Sequence, residues 1–285
     1  MCITVNPASL TKTKILSLAL DSGNHFIAYS NKVKNLSGKP NAMILPIPGE
    51  TKQEFFYDTT KYKDFMDEIV QKCDFVKDYL GMQSKSKGIR SLDKLSHDSF
   101  VIGMYKVGLA KNFEGIQDFI NSLAENERPE ISTELQKFFK EKYAGWSFAI
   151  CVFDTDKTID AQPIAFKYAP FDDKFLYFPT MDGHDGKAPS IDSMVDVDHT
   201  FIYEHTGSMD GIGTLHKKFV TINSEVPAFL QDRKYRMISL RDRQKNGDTL
   251  LSVEAMNNSK FSEEPKLIRI KYTEYENLSI NNLIF

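Results

Sequence analysis

WSFAICVF, residues 146–153, decides the fold of this chain, because it carries apolar side chains on both faces of an extended segment. A strand without a polar face belongs in the middle of a sheet that is covered on both sides. The run 42–47, AMILPI, has the same character and is closed by Pro46 and Pro48. It therefore predicts a second buried strand.

Further strands are predicted around these two. The apolar run Ile15–Leu20 and the segment His25–Ser30 are separated by Asp-Ser-Gly-Asn, a turn composition that predicts a hairpin. The segment 181–198 is rich in Asp, Gly and Ser and predicts a long exposed loop. The other predicted strands are Ser99–Val107, Pro163–Tyr168, Lys174–Pro179, His199–His205, Lys234–Leu240, Thr249–Ala255 and Lys266–Tyr272.

Three segments have the period of a helix instead. Between residues 61 and 81, apolar residues recur every three or four positions and include Cys73, which we interpret as a small core residue. A second helix follows from Phe113 to Leu123, and a third begins at Ser132. Helices and strands are segregated along the chain, which predicts an α+β fold with mostly antiparallel or mixed sheets and about three helices. We expect an α+β part over 1–180 and a strand-rich continuation over 181–285, packed together as one unit.

Composition restricts the partners that we expect. The chain has 285 residues and a formal net charge of −3, so no basic surplus indicates a nucleic-acid partner. No apolar stretch approaches the roughly 20 residues of a membrane span, so we expect no membrane partner. The cysteines are few and far apart, which is typical of a cytoplasmic protein without a disulfide framework. No cofactor motif or metal-ligand spacing is recognisable, and we predict neither group.

Cys2 is the first candidate for chemistry. It directly follows Met1, and cysteine is small enough for the initiator methionine to be removed. The mature chain would then begin with a thiol and an α-amine on one residue, which is the arrangement of an N-terminal nucleophile. The β-branched residues 3–5 would place this terminus directly in a sheet. Asn31 and Asn41, at predicted strand ends, would donate to the oxyanion. These residues predict a hydrolase or acyltransferase that attacks an amide-type bond in a small molecule or a peptide.

Other interpretations stay open. His25 or His97 could assist an internal cysteine, and His184, His199 and His205 with nearby carboxylates could bind a metal, although their spacing matches no motif. The chain could instead be a non-catalytic binding or assembly protein, since no second catalytic motif accompanies Cys2. The apolar end of the segment 278–285 could then associate with a partner or with a second copy.

Several segments resemble, in the same order, a bacterial family known as domain of unknown function 2330. They are NAMILPIPG (41–49), the N-terminal Cys2, FIAYSNKVKN with its Asn31, FVIGMYKVGLAKNFEGIQDFI, and WSFAICVF followed by AQPIAFKYAPFDDKFLYFP. The resemblance covers roughly residues 2 to 180. It implies that Cys2 is important but supplies no substrate, because the family has no assigned activity. Members of the family resemble exported proteins with a signal segment before the cysteine, whereas only Met1 precedes Cys2 here.

Overall fold

A computed structural model describes residues 3–78, 99–191, 193–207, 222, 225–259 and 264–270. The α-helices in these residues are α1 (Phe65–Asp78), α2 (Phe113–Ser122), α3 (Thr133–Lys142) and α4 (Val253–Asn258). The strands are β1 (Ile3–Thr4), β2 (Ala8–Ala19), β3 (His25–Asn35), β4 (Asn41–Ile47), β5 (Gly49–Glu50), β6 (Phe56–Tyr57), β7 (Ser99–Ile102), β8 (Tyr105–Ala110), β9 (Ser147–Phe153), β10 (Ile159–Asp160), β11 (Ile164–Pro170), β12 (Phe175–Phe178), β13 (Met194–Asp196), β14 (His199–Glu204), β15 (Tyr235–Leu240), β16 (Arg243–Lys245), β17 (Thr249–Ser252) and β18 (Leu267–Arg269). The predicted α+β fold is confirmed. None of the described helices is both long enough and apolar enough to span a membrane.

The first sheet has five strands in the order β1-β4-β9-β8-β7, and its neighbours are antiparallel. β9 is the central strand, and all seven of its residues are buried. β4 lies beside it and is buried throughout as well. Both predictions from the apolar runs are therefore confirmed.

The second sheet has eight strands and is mixed. Its main order is β15-β14-β2-β3-β11-β5, with β10 paired to β3 and β6 paired to β11. β2 and β3 form the predicted hairpin, and β14 lies parallel to β2. A three-stranded sheet, β12-β17-β18, packs nearby. Strands from 1–180 and from 181–285 thus share two of the sheets, because β14 pairs with β2 and β17 pairs with β12.

The two large sheets enclose the main core, and helices cover their outer faces. Ile15 and Tyr29 of the eight-stranded sheet belong to one apolar cluster with Ile44 and Ile150 of the five-stranded sheet. Residues of α2 and α3 join this cluster from the other face of the five-stranded sheet. α1 packs on the other face of the eight-stranded sheet, where Cys73 is buried as predicted.

The local predictions were wrong at two strands. The predicted strand Ser99–Val107 is a hairpin of β7 and β8, because Gly103 has a φ of +56° and turns the chain. The predicted strand Thr249–Ala255 stops at Ser252. The Ser252 hydroxyl accepts a 3.2 Å hydrogen bond from the backbone N–H of Ala255 and caps α4. The segment 181–198 is mostly irregular as predicted, apart from β13, which pairs with β16.

Candidate functional site

The β-branched residues Ile3 and Thr4 belong to the five-stranded sheet, in agreement with the predicted strand at residues 3–5. Ile3 and Thr4 form β1 and lie opposite Ile44 and Met43 of β4. On the other side, the backbone N–H of Thr4 donates a 2.8 Å hydrogen bond to the carbonyl of Gly183. Cys2 itself lies outside the described residues. The residue that follows it is completely buried and held between two segments.

Asn41 joins β4 to the segment that follows β1. Its Oδ1 accepts hydrogen bonds from the backbone N–H groups of Asn6, at 3.0 Å, and Ala42, at 2.8 Å. Its Nδ2 lies 3.0 Å from the carbonyl oxygen of Asn6 and 3.2 Å from Oδ1 of Asn35. Asn41 is three positions along β4 from the residue opposite Ile3, which corresponds to about 10 Å of strand. The structure therefore places the Asn41 amide beyond the end of the β1–β4 pair that is farther from Ile3.

Asn31 lies within β3 and between the two large sheets, so its predicted position at a strand end is wrong. Its Oδ1 accepts a 3.3 Å hydrogen bond from the hydroxyl of Tyr105, and its Nδ2 lies 3.7 Å from Sδ of Met43. Met43 is the residue opposite Thr4, so Asn31 approaches β4 from the second sheet. Both amides have partners inside the protein, and their role as oxyanion donors to Cys2 stays a prediction.

Two histidines of the predicted loop and strand are removed from water to different degrees: His184 is partly buried and His199 is fully buried. His184 follows Gly183, the residue bonded to β1, and its Nε2 is 3.5 Å from Oδ1 of Asp182. Burial lowers the pKa of His184 to about 3 and raises the pKa of Asp182 above its ordinary value. His199 is fully buried, stacks on Phe201, and has its pKa lowered by burial as well. Both imidazoles are therefore neutral near pH 7.

The remaining predicted groups are only partly described by the structure. His25 is buried at the start of β3, with Nδ1 3.5 Å from the hydroxyl of Tyr168. His97 and the segment 278–285 lie outside the described residues. No three His, Cys, Asp or Glu side chains in the described part of the chain are grouped closely enough to hold a metal ion.

A cavity of about 280 Å³ lies beside Asn31, where β10 and β11 separate along β3. Its lining is strongly charged and includes Lys14, Lys63 and Asp67. Lys14 Nζ lies 2.7 Å from Oδ1 of Asp67, so two of these charges neutralise each other. The surrounding sequence has no local motif that would have predicted the cavity.

A second feature that sequence reasoning missed is the outer strand of the five-stranded sheet. Val101 of β7 is 62% exposed although it is apolar. A groove of about 290 Å³ lies beside the hairpin, and its lining includes Phe100 and Leu109 together with Lys52 and Lys111. We call β7 together with this groove the β7 edge. It was missed because β7 and β8 were predicted as one strand, so no strand end and no outer edge could be assigned.

Comparisons with known proteins give a likeness in fold. The crystal structure of baculovirus P35 matches with a TM-score of 0.51 and 15% sequence identity, over 88% of this chain and 99% of that chain. A mutated baculovirus P35 after caspase cleavage matches with a TM-score of 0.48 and 14% identity, over 86% of this chain and 98% of that one. The caspase-8/P35 complex matches with a TM-score of 0.41 and 13% identity, over 85% of this chain and 87% of that one.

Sequence comparisons add no family to this result. No family model matches the chain, and no curated protein matches it. The resemblance to domain of unknown function 2330 stays a prediction, since none of the similar structures bears on it. Over most of its length, the chain is similar in fold to baculovirus P35.

Proposed function

We propose that this chain is a non-catalytic protein that binds a peptidase of the caspase type. One observation carries the proposal. The fold of baculovirus P35 extends over 88% of this chain and 99% of P35, and P35 forms a complex with caspase-8. A protein-binding role corresponds to the non-catalytic alternative that the sequence left open. Because a fold can host several functions, the proposal depends on a binding experiment.

The predicted catalytic groups are consistent with this role. The amide of Asn41 is bonded to backbone and side-chain groups that hold β1 and β4 together. The amide of Asn31 contacts Tyr105 and Met43 in the space between the sheets. These contacts support a structural role for both residues.

The experiment is a direct assay with active caspase-8. The purified chain is mixed with the peptidase, and hydrolysis of a fluorogenic peptide is followed while complex formation is measured on a sizing column. We expect progressively slower hydrolysis and co-elution of the two proteins. Intact mass of the chain after mixing shows whether it is cut, because cleaved forms of P35 exist.

Papain is the control for simple competition by any cleavable polypeptide. If the chain binds caspases specifically, papain hydrolyses its fluorogenic peptide at almost the same rate with and without the chain. If the chain is only a competing substrate, it slows both enzymes to a similar degree. An unchanged caspase-8 rate together with separate elution of the two proteins contradicts the proposal.

The second candidate function is the hydrolase or acyltransferase that acts through Cys2. The observation that favours it is the fixed position of Ile3, which would hold a neighbouring thiol still. Intact mass of the untagged protein shows whether Met1 has been removed. A Cys2→Ala variant that folds normally then separates the two functions, because it abolishes hydrolysis of an acyl substrate by an N-terminal nucleophile.

A further inference from the structure

We infer that the β7 edge takes up an extended, acidic segment of the bound peptidase as an additional strand of the five-stranded sheet. The inference rests on the proposed function and adds to it a location and a recognition chemistry. β7 is an end strand of this sheet, and within the described residues it pairs only with β8. A free strand edge presents backbone donors and acceptors that an incoming strand can use.

The register of the hairpin shows which backbone groups are available. Ile102 and Tyr105 are paired across the two-residue turn of Gly103 and Met104. The pair that closes such a turn exchanges both of its backbone hydrogen bonds, and bonded pairs then alternate with non-bonded pairs. Val101 is next along the strand, so its N–H and C=O point away from β8 toward the free edge.

The side chains on the two faces of β7 define what the added strand must present. Val101 projects on one face and is largely exposed. Phe100 projects on the other, where its ring lies 5.0 Å from the ring of Phe56 and lines the groove with Leu109. Alternate residues of an added strand would therefore enter the groove and lie over Val101, so that apolar residues fit the positions next to Phe100 and Val101.

The charges beside the edge select an acidic segment. Lys52 and Lys111 line the groove, and Lys106 lies across from Val101 on the other face. Lys52 has Glu54 at 3.5 Å and Lys106 has Glu127 at 2.6 Å, whereas the described ion pairs include none for Lys111. Three lysines with two carboxylates leave a positive surplus, which favours an acidic partner strand through charge complementarity.

Val101→Pro tests the added strand directly. Proline removes the outward N–H but is tolerated on an edge strand where that N–H faces solvent. Affinity for immobilised caspase-8 is measured for the wild type, Val101→Pro, Val101→Thr and Met194→Gln. Val101→Thr keeps the N–H, and Met194→Gln changes another exposed apolar residue, on β13. We expect Val101→Pro to weaken binding about tenfold and both controls to stay within about threefold of the wild type.

A second pair of variants tests whether the positive charge of Lys111 favours the acidic segment. Lys111→Glu is compared with Lys137→Glu, which changes a lysine on the outer surface of α3. We expect only Lys111→Glu to slow association at low ionic strength, and the difference to diminish as salt is raised. Circular dichroism and urea denaturation verify that every variant is folded.

The outcomes separate the inference from the proposed function. If the wild type binds caspase-8 and Val101→Pro binds with the same affinity, the inference of an added strand is wrong and the proposed function still holds. Absence of wild-type binding overturns both. A dimer in light scattering that Val101→Pro dissociates would assign the edge to a second copy of this chain, which also overturns the inference.

Discussion

The hydroxyl of Tyr143 donates a 2.7 Å hydrogen bond to Oδ2 of Asp248, which is 105 positions later in the chain. Oδ1 of the same carboxylate accepts bonds from the backbone N–H groups of Thr180, at 2.7 Å, and Met181, at 2.8 Å. Asp248 is completely buried, so these donors replace water as its hydrogen-bond partners. One carboxylate thereby joins the end of α3 to the start of β17 and to the residues after β12.

Replacing the carboxylate of Asp248 by an amide should destabilise the protein. Asp248→Asn replaces an acceptor oxygen by a donor amide and leaves N–H groups of the interior without a good partner, so we expect a loss of about 2–4 kcal/mol in the free energy of unfolding. Tyr143→Phe removes one bond and should cost about 1 kcal/mol. Urea denaturation measures both variants. Asp156→Asn, at an exposed position, is the matched control, and an equal effect of both Asp→Asn changes would contradict this role.

Gly108 should not tolerate a side chain. A Cβ at this position of β8 would overlap the ring of Phe119 on α2. Gly108→Ala should therefore lower the free energy of unfolding by about 1–3 kcal/mol, because α2 must move off the sheet. Thermal denaturation provides the measurement. In a Gly108→Ala/Phe119→Leu double variant the smaller side chain should restore part of the loss, whereas simple additivity of the two changes would argue against the contact.

Stability should fall in mild acid because His184 is partly buried and neutral. Its pKa is lowered to about 3, whereas an unfolded histidine binds its proton near pH 6.5. Below pH 6.5 the unfolded chain therefore binds more protons than the folded chain, and stability decreases as the pH falls toward 3. We expect this histidine alone to account for about 1 kcal/mol between pH 6.5 and 5.5.

Urea midpoints at pH 7.5, 6.5 and 5.5 measure the effect. His25 and His199 also have pKa values lowered by burial, so several residues contribute to the wild-type slope. His184→Gln should reduce that slope between pH 6.5 and 5.5. An identical slope in this variant would show that His184 binds its proton equally well in the folded and the unfolded chain, which contradicts the lowered pKa.

Lys12 is in an unusual backbone conformation that a glycine would adopt more easily. Its φ is +52°, at the irregularity where the register of β2 with β3 shifts between Thr11 and Lys14. Its N–H donates a 3.0 Å hydrogen bond to Oδ2 of Asp198. Lys12→Gly should raise the free energy of unfolding by up to about 1 kcal/mol, since glycine adopts positive φ without a steric penalty. Thr11→Gly, at an exposed position of the same strand, should instead lower it, and chemical denaturation of the two variants distinguishes these signs.

The sequence predicted the elements whose periodicity is simple. β9 and β4 were recognisable because neither has a polar face, and α1 to α3 because their apolar residues recur at helical spacing. The break between β7 and β8 depends on the φ of the single residue Gly103, which the surrounding apolar residues conceal.

Much less of the candidate site could be predicted. The entry of the N-terminus into a sheet followed from residues 3–5, but its contact with Gly183 joins positions 179 apart and has no local signal. The positions of Asn31 and Asn41 depend in the same way on strand pairing. Likewise, an outer strand can be recognised only once the order of the whole sheet is known, which is why the β7 edge was not foreseen.

The parallel pairing of β2 with β14 has a consequence for synthesis of the chain on the ribosome. Thr13 and Ile15 lie beside His199 and Phe201, so their partners are translated long after β2 has emerged. At ordinary translation rates of about 5–20 residues per second, β14 is synthesised roughly 10–40 s after β2, and one edge of β2 stays unpaired until then. During that interval the β2–β3 hairpin has an unpaired strand edge, which is a template for aggregation. Folding of this chain in the cell is therefore open to aggregation between the synthesis of its first hairpin and the synthesis of β14.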